Sequence, residues 1–237
     1  MVFVMKIGSS AWKETIVAGA REFDIPVQPD QADLFARHAS ILTDWNQKVN
    51  LTTIVDPLEM AIKHFLDAIL PYATIQPDSR LMDVGSGAGF PGIALKVMIP
   101  TLKVTLIEAT HKKVSFLKHV IRELDLTNIE AIHTRIENLE SRVVGKFDVI
   151  VSRAFSNLPK FVERSLPYLA PKGQLIAYKA KDYTKETQQL FQTQKGTWAL
   201  AETACSRLNF QLKIFPFQLP ILNLSRSLLV LEIQNNS

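Results

Sequence analysis

Cysteine is nearly absent from this sequence, since Cys205 is the single one among 237 residues. One cysteine excludes an internal disulfide framework and a cysteine-based zinc site. His111, His119 and His133 show no metal-ligand spacing, so we expect no bound metal. The partly apolar start, residues 1–7, is too short for a signal peptide or a membrane span. We therefore expect a cytoplasmic protein that makes no use of a membrane.

The excess of positive over negative residues is also small. Charged residues make up 21% of the chain and hydrophobic residues 47%, which is ordinary for a soluble globular protein. The formal net charge is +4 and the pI is near 9.1, which is compatible with a nucleic-acid partner but does not by itself predict one. The length suits one α/β domain with an appendage.

Glycine is scarce as well, yet three glycines stand at every second position directly after a short apolar strand. The predicted strand 81–84 runs into Gly85, Gly87 and Gly89, and Pro91 suits the first turn of a following helix. A strand that turns into a helix through glycine brings backbone N–H groups close to a bound ligand. An ordinary turn without a ligand is the alternative, and the strand–turn–helix context argues against it.

Two classes of cofactor use such a turn, and charge separates them. Gly87, Gly89 and Gly92 satisfy the dinucleotide fingerprint, with Glu108 at about the expected 20 residues beyond it. A Gly-x-Gly-x-Gly turn is also typical of S-adenosylmethionine (AdoMet) sites. Asp83 stands beside the first glycine, where a carboxylate would repel a pyrophosphate but suits the ammonium and sulfonium of AdoMet. Glu108 can accept from ribose hydroxyls in either class, or be a solvated acid at a helix start.

The apolar pattern divides the chain near residue 75. Residues 1–75 predict an N-terminal helical extension, with helices at 10–23, 30–48 and from Pro57 to Pro71. Residues 76–237 alternate strands and helices, which predicts a parallel sheet covered by helices. The predicted strands are 81–84, 103–107, 129–133, 147–151, 174–180, 211–216 and 227–233. The predicted helices of this part are 91–98, 111–124, 136–140, 158–169 and 184–194.

The last two predicted strands have no helix between them, so they indicate a hairpin. A terminal hairpin after five strand–helix units is unlike a dinucleotide fold, which repeats its βαβ half. It matches the α/β fold of the class I AdoMet-dependent methyltransferases, a seven-stranded Rossmann-like sheet, here with the N-terminal helical extension.

Polar residues at the carboxyl ends of the strands are candidates for the site, because ligands gather there in open α/β sheets. Ile136 and Glu137 are candidates to bracket an adenine, with an ordinary helix start as the alternative. Arg153 follows an uncharged run, so we expect it to meet a cofactor carboxylate, a phosphate or a local acid. His64 and Asp67 lie on one helical face and form at least a candidate hydrogen-bonded pair.

Lysines near the strand ends are candidates for contact with RNA phosphate, or they are simply solvated. Lys112 and Lys113 lie in the first turn of a helix, where positive charge opposes the helix dipole. Lys179 and Lys181 lie at or beyond the end of the fifth strand and have the same two interpretations.

Two further absences bear on the reaction. There is no Asn/Asp-Pro-Pro-aromatic run of the kind that orients an exocyclic amine for methylation. Cys205 lies far from any strand end, so C5 methylation of a pyrimidine has no obvious nucleophile. Guanine N7 carries an exposed lone pair, and its methylation needs alignment rather than a general base. We therefore assign no catalytic acid or base.

Several motifs in one order resemble the RsmG (GidB) family. They are the glycine-turn run 83–95, the upstream runs 45–52 and 64–67, and the downstream runs 106–109, 112–117, 152–154 and 178–179. The resemblance extends over about residues 30–232 and is more specific than the glycine turn alone. It implies an enzyme that methylates N7 of one guanine in the decoding-region loop of 16S ribosomal RNA, with AdoMet as cofactor.

The resemblance also implies AdoMet contacts at Gly85, Phe90, Ile136 with Glu137, and Arg153. Phe90 would be an apolar wall against the cofactor. The family usually has a small residue where Ile136 stands, so only a backbone contact transfers there. An acidic residue is frequent at the position of Glu108, which fits the ribose role.

The sequence thus predicts a monomeric AdoMet-dependent 16S rRNA guanine-N7 methyltransferase. The N-terminal helices would face the RNA, with Asn46, Asn50 and His64 as candidates to line that surface. The alternatives are a methyltransferase acting on a small molecule or a protein, an NAD-dependent oxidoreductase, and a non-catalytic RNA-binding factor on the same fold.

Overall fold

The computed structural model describes residues 5–139, 146–153, 155, 157–180, 183–192, 197–199 and 206–234. Its helices are α1 (Ser10–Arg21), α2 (Pro29–Asn46), α3 (Pro57–Met60), α4 (Asp67–Ile69), α5 (Gly92–Met98), α6 (His111–Glu123), α7 (Leu158–Ser165) and α8 (Thr184–Gln192). Its strands are β1 (Arg80–Val84), β2 (Lys103–Glu108), β3 (Ile129–His133), β4 (Phe147–Ser152), β5 (Leu169–Lys179), β6 (Thr197–Ala199), β7 (Ser206–Leu219) and β8 (Leu224–Gln234). Lys181 and Cys205, considered above, lie outside the described residues.

The strands form one sheet in the order β3-β2-β1-β4-β5-β8-β7-β6. The pairs within β1–β5 are parallel, whereas β8 runs antiparallel to β5 and β7 antiparallel to β8. This confirms the predicted class I methyltransferase sheet with its terminal hairpin. The short edge strand β6, which pairs with β7, was not predicted and adds an eighth strand to the seven.

Two strand boundaries differ from the prediction. Strand β5 begins at Leu169 rather than 174, because the chain pairs with β4 before Pro171 and Gly173 interrupt its apolar pattern. The hairpin strands β7 and β8 are also longer than predicted. In a hairpin, ladder hydrogen bonds hold polar and apolar residues alike, so pairing continues beyond the apolar run.

The N-terminal helices pack on one face of the sheet and share its core. Trp12 of α1 is fully buried, and its Nε1 donates to the carbonyl of Pro57 at 2.8 Å, which ties α1 to the start of α3. Its ring also meets Phe65 edge to face, with centroids 5.4 Å apart. The same apolar cluster includes Leu81 and Leu106 from the sheet. Residues on both sides of position 75 therefore contribute to one core.

The predicted third helix contains a segment that the apolar period does not indicate. The segment Ala61–Leu66 between α3 and α4 is a π-helix, and the N–H of Asp67 donates to the carbonyl of Ile62, five residues back. Such segments are rare and often accompany functional sites. Here the segment carries Lys63 and His64 toward the sheet edge that holds the glycine turn.

The opposite face of the sheet is covered by α7 and α8. Phe161 of α7 packs with Met82 and Leu175 in a second apolar cluster, to which Leu190 of α8 also belongs. The central strands are therefore buried on both faces, as expected of parallel strands. None of the described helices combines the length and the apolar character needed to cross a bilayer. The described residues also contain no grouping of His, Cys, Asp and Glu suited to a metal ion.

Candidate functional site

The glycine turn lies at the carboxyl end of β1. Gly85, Gly87 and Gly89 have φ angles of 77°, 56° and 88°, a region that side chains strongly disfavour. The N–H groups of Gly85 and Ser86 both donate to the carbonyl of Ile107, at 2.8 and 3.1 Å. The turn is therefore fixed to the end of β2, and it leads directly into α5.

Gly92 lets this helix approach the strand end. A Cβ at this position would lie 2.4 Å from Leu106 Cδ2 and 2.8 Å from Asp83 Oδ2, which leaves no space for a side chain. Without one, the N–H of Gly92 donates to Asp83 Oδ2 at 3.0 Å. The last glycine of the motif thus serves close packing of α5 on the carboxylate.

Asp83 is completely buried at this junction. Its Oδ2 accepts from Gly92, while Oδ1 has no hydrogen-bond partner within the described part of the chain. Burial raises the pKa of Asp83 to about 7, although the hydrogen bond from Gly92 and the nearby hydroxyl of Ser86, which donates to the Asp83 main-chain carbonyl at 3.0 Å, oppose the rise. A buried acceptor without a donor is costly, so this oxygen is suited to a ligand that brings one.

Glu108 connects the end of β2 to the turn. Its Oε2 accepts from the N–H of Gly87 at 3.0 Å, and its Oε1 accepts from the N–H of Thr110 at 2.8 Å. The structure therefore gives Glu108 a role in fixing the loop, which the sequence did not indicate. Each carboxylate oxygen has a second lone pair, so the predicted ribose contact remains compatible with this geometry.

A crevice of about 180 Å³ opens between the turn and the ends of β2 and β3. It is lined by Val84, Gly85, Ile107, Ala109, Thr134, Arg135, Ile136, Glu137, Phe155 and Arg164. Ile136 is buried, and its carbonyl accepts from the hydroxyl of Tyr168 at 2.9 Å. Glu137 forms an ion pair with Arg164 at 2.5 Å. Three of the predicted site residues, Gly85, Ile136 and Glu137, are thus brought to one cavity.

Phe90 does not line this crevice. Its ring is buried and stacks between His38 at 4.8 Å and His64 at 4.7 Å, measured between ring centroids. The side chain therefore belongs to the packing between the helices and the turn. The predicted cofactor contact of Phe90 as an apolar wall stays a prediction.

His38 is a residue that sequence reasoning missed. It lies on α2, and its Nε2 is 2.9 Å from the carbonyl of Ala88 in the glycine turn. Burial lowers the pKa of His38 to about 4, so the ring is neutral at physiological pH. The N-terminal helices thus support the turn directly, through a contact 50 residues apart in the chain that no local pattern indicates.

Arg153 lies at the end of β4 and turns toward the π-helical segment. Its Nη1 donates to the carbonyl of Lys63 at 2.9 Å and is 3.5 Å from Asp67 Oδ2. Its Nη2 is 3.2 Å from His64 Nδ1, and its guanidinium lies 5.3 Å above the Phe90 ring. Of the three expected partners, the structure shows the local acid.

His64 and Asp67 do not bond to each other. His64 Nε2 pairs with the hydroxyl of Thr52 at 2.9 Å, and Asp67 lies between Arg153 and Arg226. The pKa of His64 is lowered to about 3, first by burial and then by the charge of Arg153. The two residues therefore act on Arg153 in parallel rather than as a pair.

A family model described as "GidB: rRNA small subunit methyltransferase G" matches residues 31–209. The chain belongs to this family. A ribosomal RNA small subunit methyltransferase G of Geotalea uraniireducens is 38% identical over 221 residues, covering 93% of this chain and 96% of that protein. One of Geobacter metallireducens is 35% identical over 226 residues, covering 95% and 98%. The predicted resemblance and AdoMet-dependent methylation of small-subunit RNA as the activity are confirmed.

Solved structures agree on the fold. A SAM-dependent methyltransferase of Aquifex aeolicus superposes with a TM-score of 0.56 at 15% identity, covering 77% of this chain and 96% of that one. TYW2 of Pyrococcus horikoshii, solved with MeSAdo, gives 0.53 at 11% identity, covering 72% and 63%. At such identities the likeness supports the class I methyltransferase fold alone.

The residues present fit the AdoMet that the family implies. The buried Oδ1 of Asp83 has no donor in the described part of the chain, and AdoMet carries an ammonium. The turn leaves Gly85 and Gly87 partly exposed, and the crevice beside it is apolar at Val84, Ile107 and Ile136. NAD-dependent chemistry, one of the alternatives, would instead place a diphosphate beside the carboxylate.

A second cavity of about 290 Å³ has Arg153 in its wall. It is lined by Ile54, Lys63, His64, Asp67, Arg153, Tyr178, Lys179, Ala180 and Arg226. We call it the cationic cleft. Lys179, predicted as a phosphate ligand or a solvated lysine, is buried and donates to Glu186 at 2.6 Å. Arg226, on β8, was missed because nothing in a hairpin strand relates it to the glycine turn by spacing.

Proposed function

We propose that this chain transfers the methyl group of AdoMet to N7 of one guanine in 16S ribosomal RNA, as a monomer in the cytoplasm. The observation that carries the proposal is the buried Oδ1 of Asp83 at the glycine turn, which has no hydrogen-bond partner among the residues that the structure describes. A buried acceptor without a donor supports a ligand that brings a positively charged donor, as the ammonium group of AdoMet would.

The cofactor residues divide the work by chemistry. Asp83 would hold the ammonium, Glu108 the ribose hydroxyls, and the backbone of Gly85, Gly87 and Gly89 would border the methionine part. Ile136 and Glu137 line the crevice in which an adenine would lie. Arg153, directly after β4, would contact the cofactor while keeping its ion pair with Asp67. AdoMet, when bound, supplies an electrophilic methyl group on its sulfonium.

No residue has to remove a proton. Guanine N7 presents a lone pair, so positioning of the base supplies most of the catalysis. The groups near the cationic cleft agree with this, because burial keeps His64 neutral. Asp67, the one carboxylate lining that cleft in the described residues, is held by two guanidinium groups.

The N-terminal helices, residues 1–75, would face the RNA beside the methyltransferase domain at 76–237. Asn46 organises the loop after α2, since its Oδ1 accepts from the N–H groups of Leu51 and Thr52 at 2.9 and 3.0 Å. Asn50 is exposed on this loop. On α6, Lys112 is exposed and Lys113 half-buried, which keeps both available for phosphate.

The test is to incubate the protein with labelled AdoMet and undermethylated small-subunit RNA or particles, and then to map the label. We expect it at N7 of a single guanine, with a rate that falls as salt rises. Label at any other base or atom would contradict the proposal. Strong, salt-insensitive activity on small molecules or on a protein would support the alternative methyltransferase instead.

A further inference from the structure

The cationic cleft lies beside the cofactor crevice, at the same edge of the sheet. Asp83 of β1 pairs in register with Val151 of β4, and Ser152 pairs with Ala177 of β5. Arg153 follows on β4, with Tyr178 and Lys179 on β5. We propose that this cleft binds the target nucleotide, and that Arg226 binds the phosphate of that nucleotide. The inference rests on the proposed function and specifies how its substrate is held.

The charges of the cleft leave one positive charge in excess. Lys63 pairs with Glu59 at 2.6 Å, and Lys179 pairs with Glu186 at 2.6 Å, so each lysine is balanced by its own acid. Arg153 and Arg226 share a single carboxylate, that of Asp67, with N–O distances of 3.5 and 3.4 Å. The cleft is therefore complementary to one anionic group, such as a single phosphate.

Arg226 is the arginine with donors to spare. Its Nε is near Asp67 and its Nη1 donates to the carbonyl of Ser225 at 3.1 Å. Its Nη2 has no acceptor among the residues that the structure describes. About a fifth of the side chain is exposed. Asp67 thus holds the guanidinium in place while one edge of the fork points away from it, which suits a phosphate.

Arg153 is less suited to that role. Its terminal nitrogens already contact the Lys63 carbonyl, His64 and Asp67, and its plane faces Phe90. Moreover, an arginine that bonded the N7/O6 edge of guanine would occupy the lone pair that has to react. We therefore assign the cleft's arginine contact to phosphate rather than to the base edge.

The walls of the cleft can hold a base. Tyr178 is buried, and its hydroxyl donates to the carbonyl of Ala68 at 2.7 Å, which fixes its ring. Ile54 is half-buried on the loop that Asn46 and Thr52 organise, because the N–H of Ile54 donates to Thr52 Oγ1 at 3.0 Å. With Ala180 they give the cleft apolar lining on which a flat base would rest.

The test compares Arg226→Gln and Arg226→Lys with the control Lys213→Gln. Lys213 lies on the neighbouring strand β7, pairs with Glu232 at 2.8 Å, and is outside the cleft, so the control removes the same charge elsewhere on the hairpin. The readouts are kcat/KM for undermethylated small-subunit RNA at several salt concentrations, and AdoMet affinity by calorimetry.

We expect R226Q to lower kcat/KM for RNA by about 10- to 100-fold and the salt slope by about 0.7 to 1, with AdoMet affinity unchanged. R226K should keep the salt slope while losing part of the rate, since lysine retains the charge but not the fork. K213Q should behave as the wild type.

Three outcomes would overturn the inference. They are equal kcat/KM values for R226Q and K213Q, an unchanged salt slope in R226Q, or a loss of AdoMet affinity that parallels the loss of rate. If R226Q does not fold, R226K decides: a lowered rate with an intact slope supports the inference, and an unaltered rate overturns it. A wild-type protein that fails to methylate guanine N7 would instead refute the proposed function.

Discussion

The cofactor crevice and the cationic cleft are built from different parts of the chain. The cofactor crevice depends on a continuous turn after β1 and on one carboxylate, Glu108, at the end of the next strand. The cationic cleft combines side chains from the loop before α3, the π-helical segment, α4, the position after β4, the end of β5 and β8, which are separated by up to 172 positions between Ile54 and Arg226. Backbone shapes the first cavity, whereas charge balance shapes the second. Variants that affect one cavity and spare the other therefore test this difference.

The largest effect should come from the pH dependence at Asp83. Its pKa rises from 3.8 to about 7 on folding, so the folded protein binds more protons between these values. Stability is therefore expected to fall as pH rises from about 4 to 7, with a contribution of the order of 4 kcal/mol from this group. Asp83→Asn should remove this contribution, as measured by urea unfolding at several pH values.

The same variant should weaken AdoMet binding, since Asn cannot match a carboxylate for the ammonium; a loss of about 10- to 100-fold is expected. Because the buried histidines His38 and His64 have lowered pKa values, they oppose the trend by destabilising the fold as pH falls below about 6.5. Only the difference between variant and wild type isolates Asp83. An identical pH profile in the two proteins would contradict the assignment.

Gly92→Ala should give the next largest effect. The added methyl would lie 2.4 Å from Leu106 and 2.8 Å from Asp83, so α5 has to move away from the strand. We expect a loss of about 2–3 kcal/mol in the free energy of unfolding, with weaker AdoMet binding. Gly87→Ala is the comparison, because its Cβ would have space at 3.8 Å and the strain comes from φ alone. Equal losses for the two would refute the packing argument.

Asn46→Ala tests the wall of the cationic cleft. The change removes Oδ1, which accepts from the backbone N–H groups of Leu51 and Thr52. It also removes the hydrogen bond that Nδ2 donates to the Thr52 carbonyl at 3.0 Å. We expect the free energy of unfolding to fall by about 1–2 kcal/mol and KM for RNA to rise, while AdoMet affinity stays constant. A change confined to AdoMet affinity would show that the loop serves the other cavity.

The smallest effect is expected from Arg164→Gln, at the rim of the cofactor crevice. The pair of Arg164 with Glu137 is more than a third exposed on both sides, and such pairs contribute about 0–1 kcal/mol. Thermal unfolding should therefore change little. AdoMet affinity should also remain within about threefold if Glu137 contacts adenine by itself. A large loss of affinity would mean that Arg164 is the true neighbour of the cofactor.

What could be predicted from the sequence follows the same division. The glycine turn, Asp83 and Glu108 were found because strand ends and glycine spacing are local signals, and the parallel sheet with its terminal hairpin followed from the alternation of elements. The ring of Phe90 could not be oriented, since its position depends on His38 and His64 from separate helices. Arg226 was missed for the same reason, because its ion pair with the buried Asp67 joins residues far apart in the chain and no local sequence pattern indicates it.

The π-helical segment Ala61–Leu66 makes this part of the chain sensitive to its length. Removing one residue would restore a regular α-helix whose flanking turns keep their register, but the spacing of the side chains and carbonyls within the segment would change by one position. Lys63, whose carbonyl holds Arg153, and Asp67, which anchors two arginines, would then no longer face the sheet edge together. Point substitutions in this helix can be absorbed by repacking, whereas a single-residue insertion or deletion would misalign the groups that hold Arg153 and line the cationic cleft.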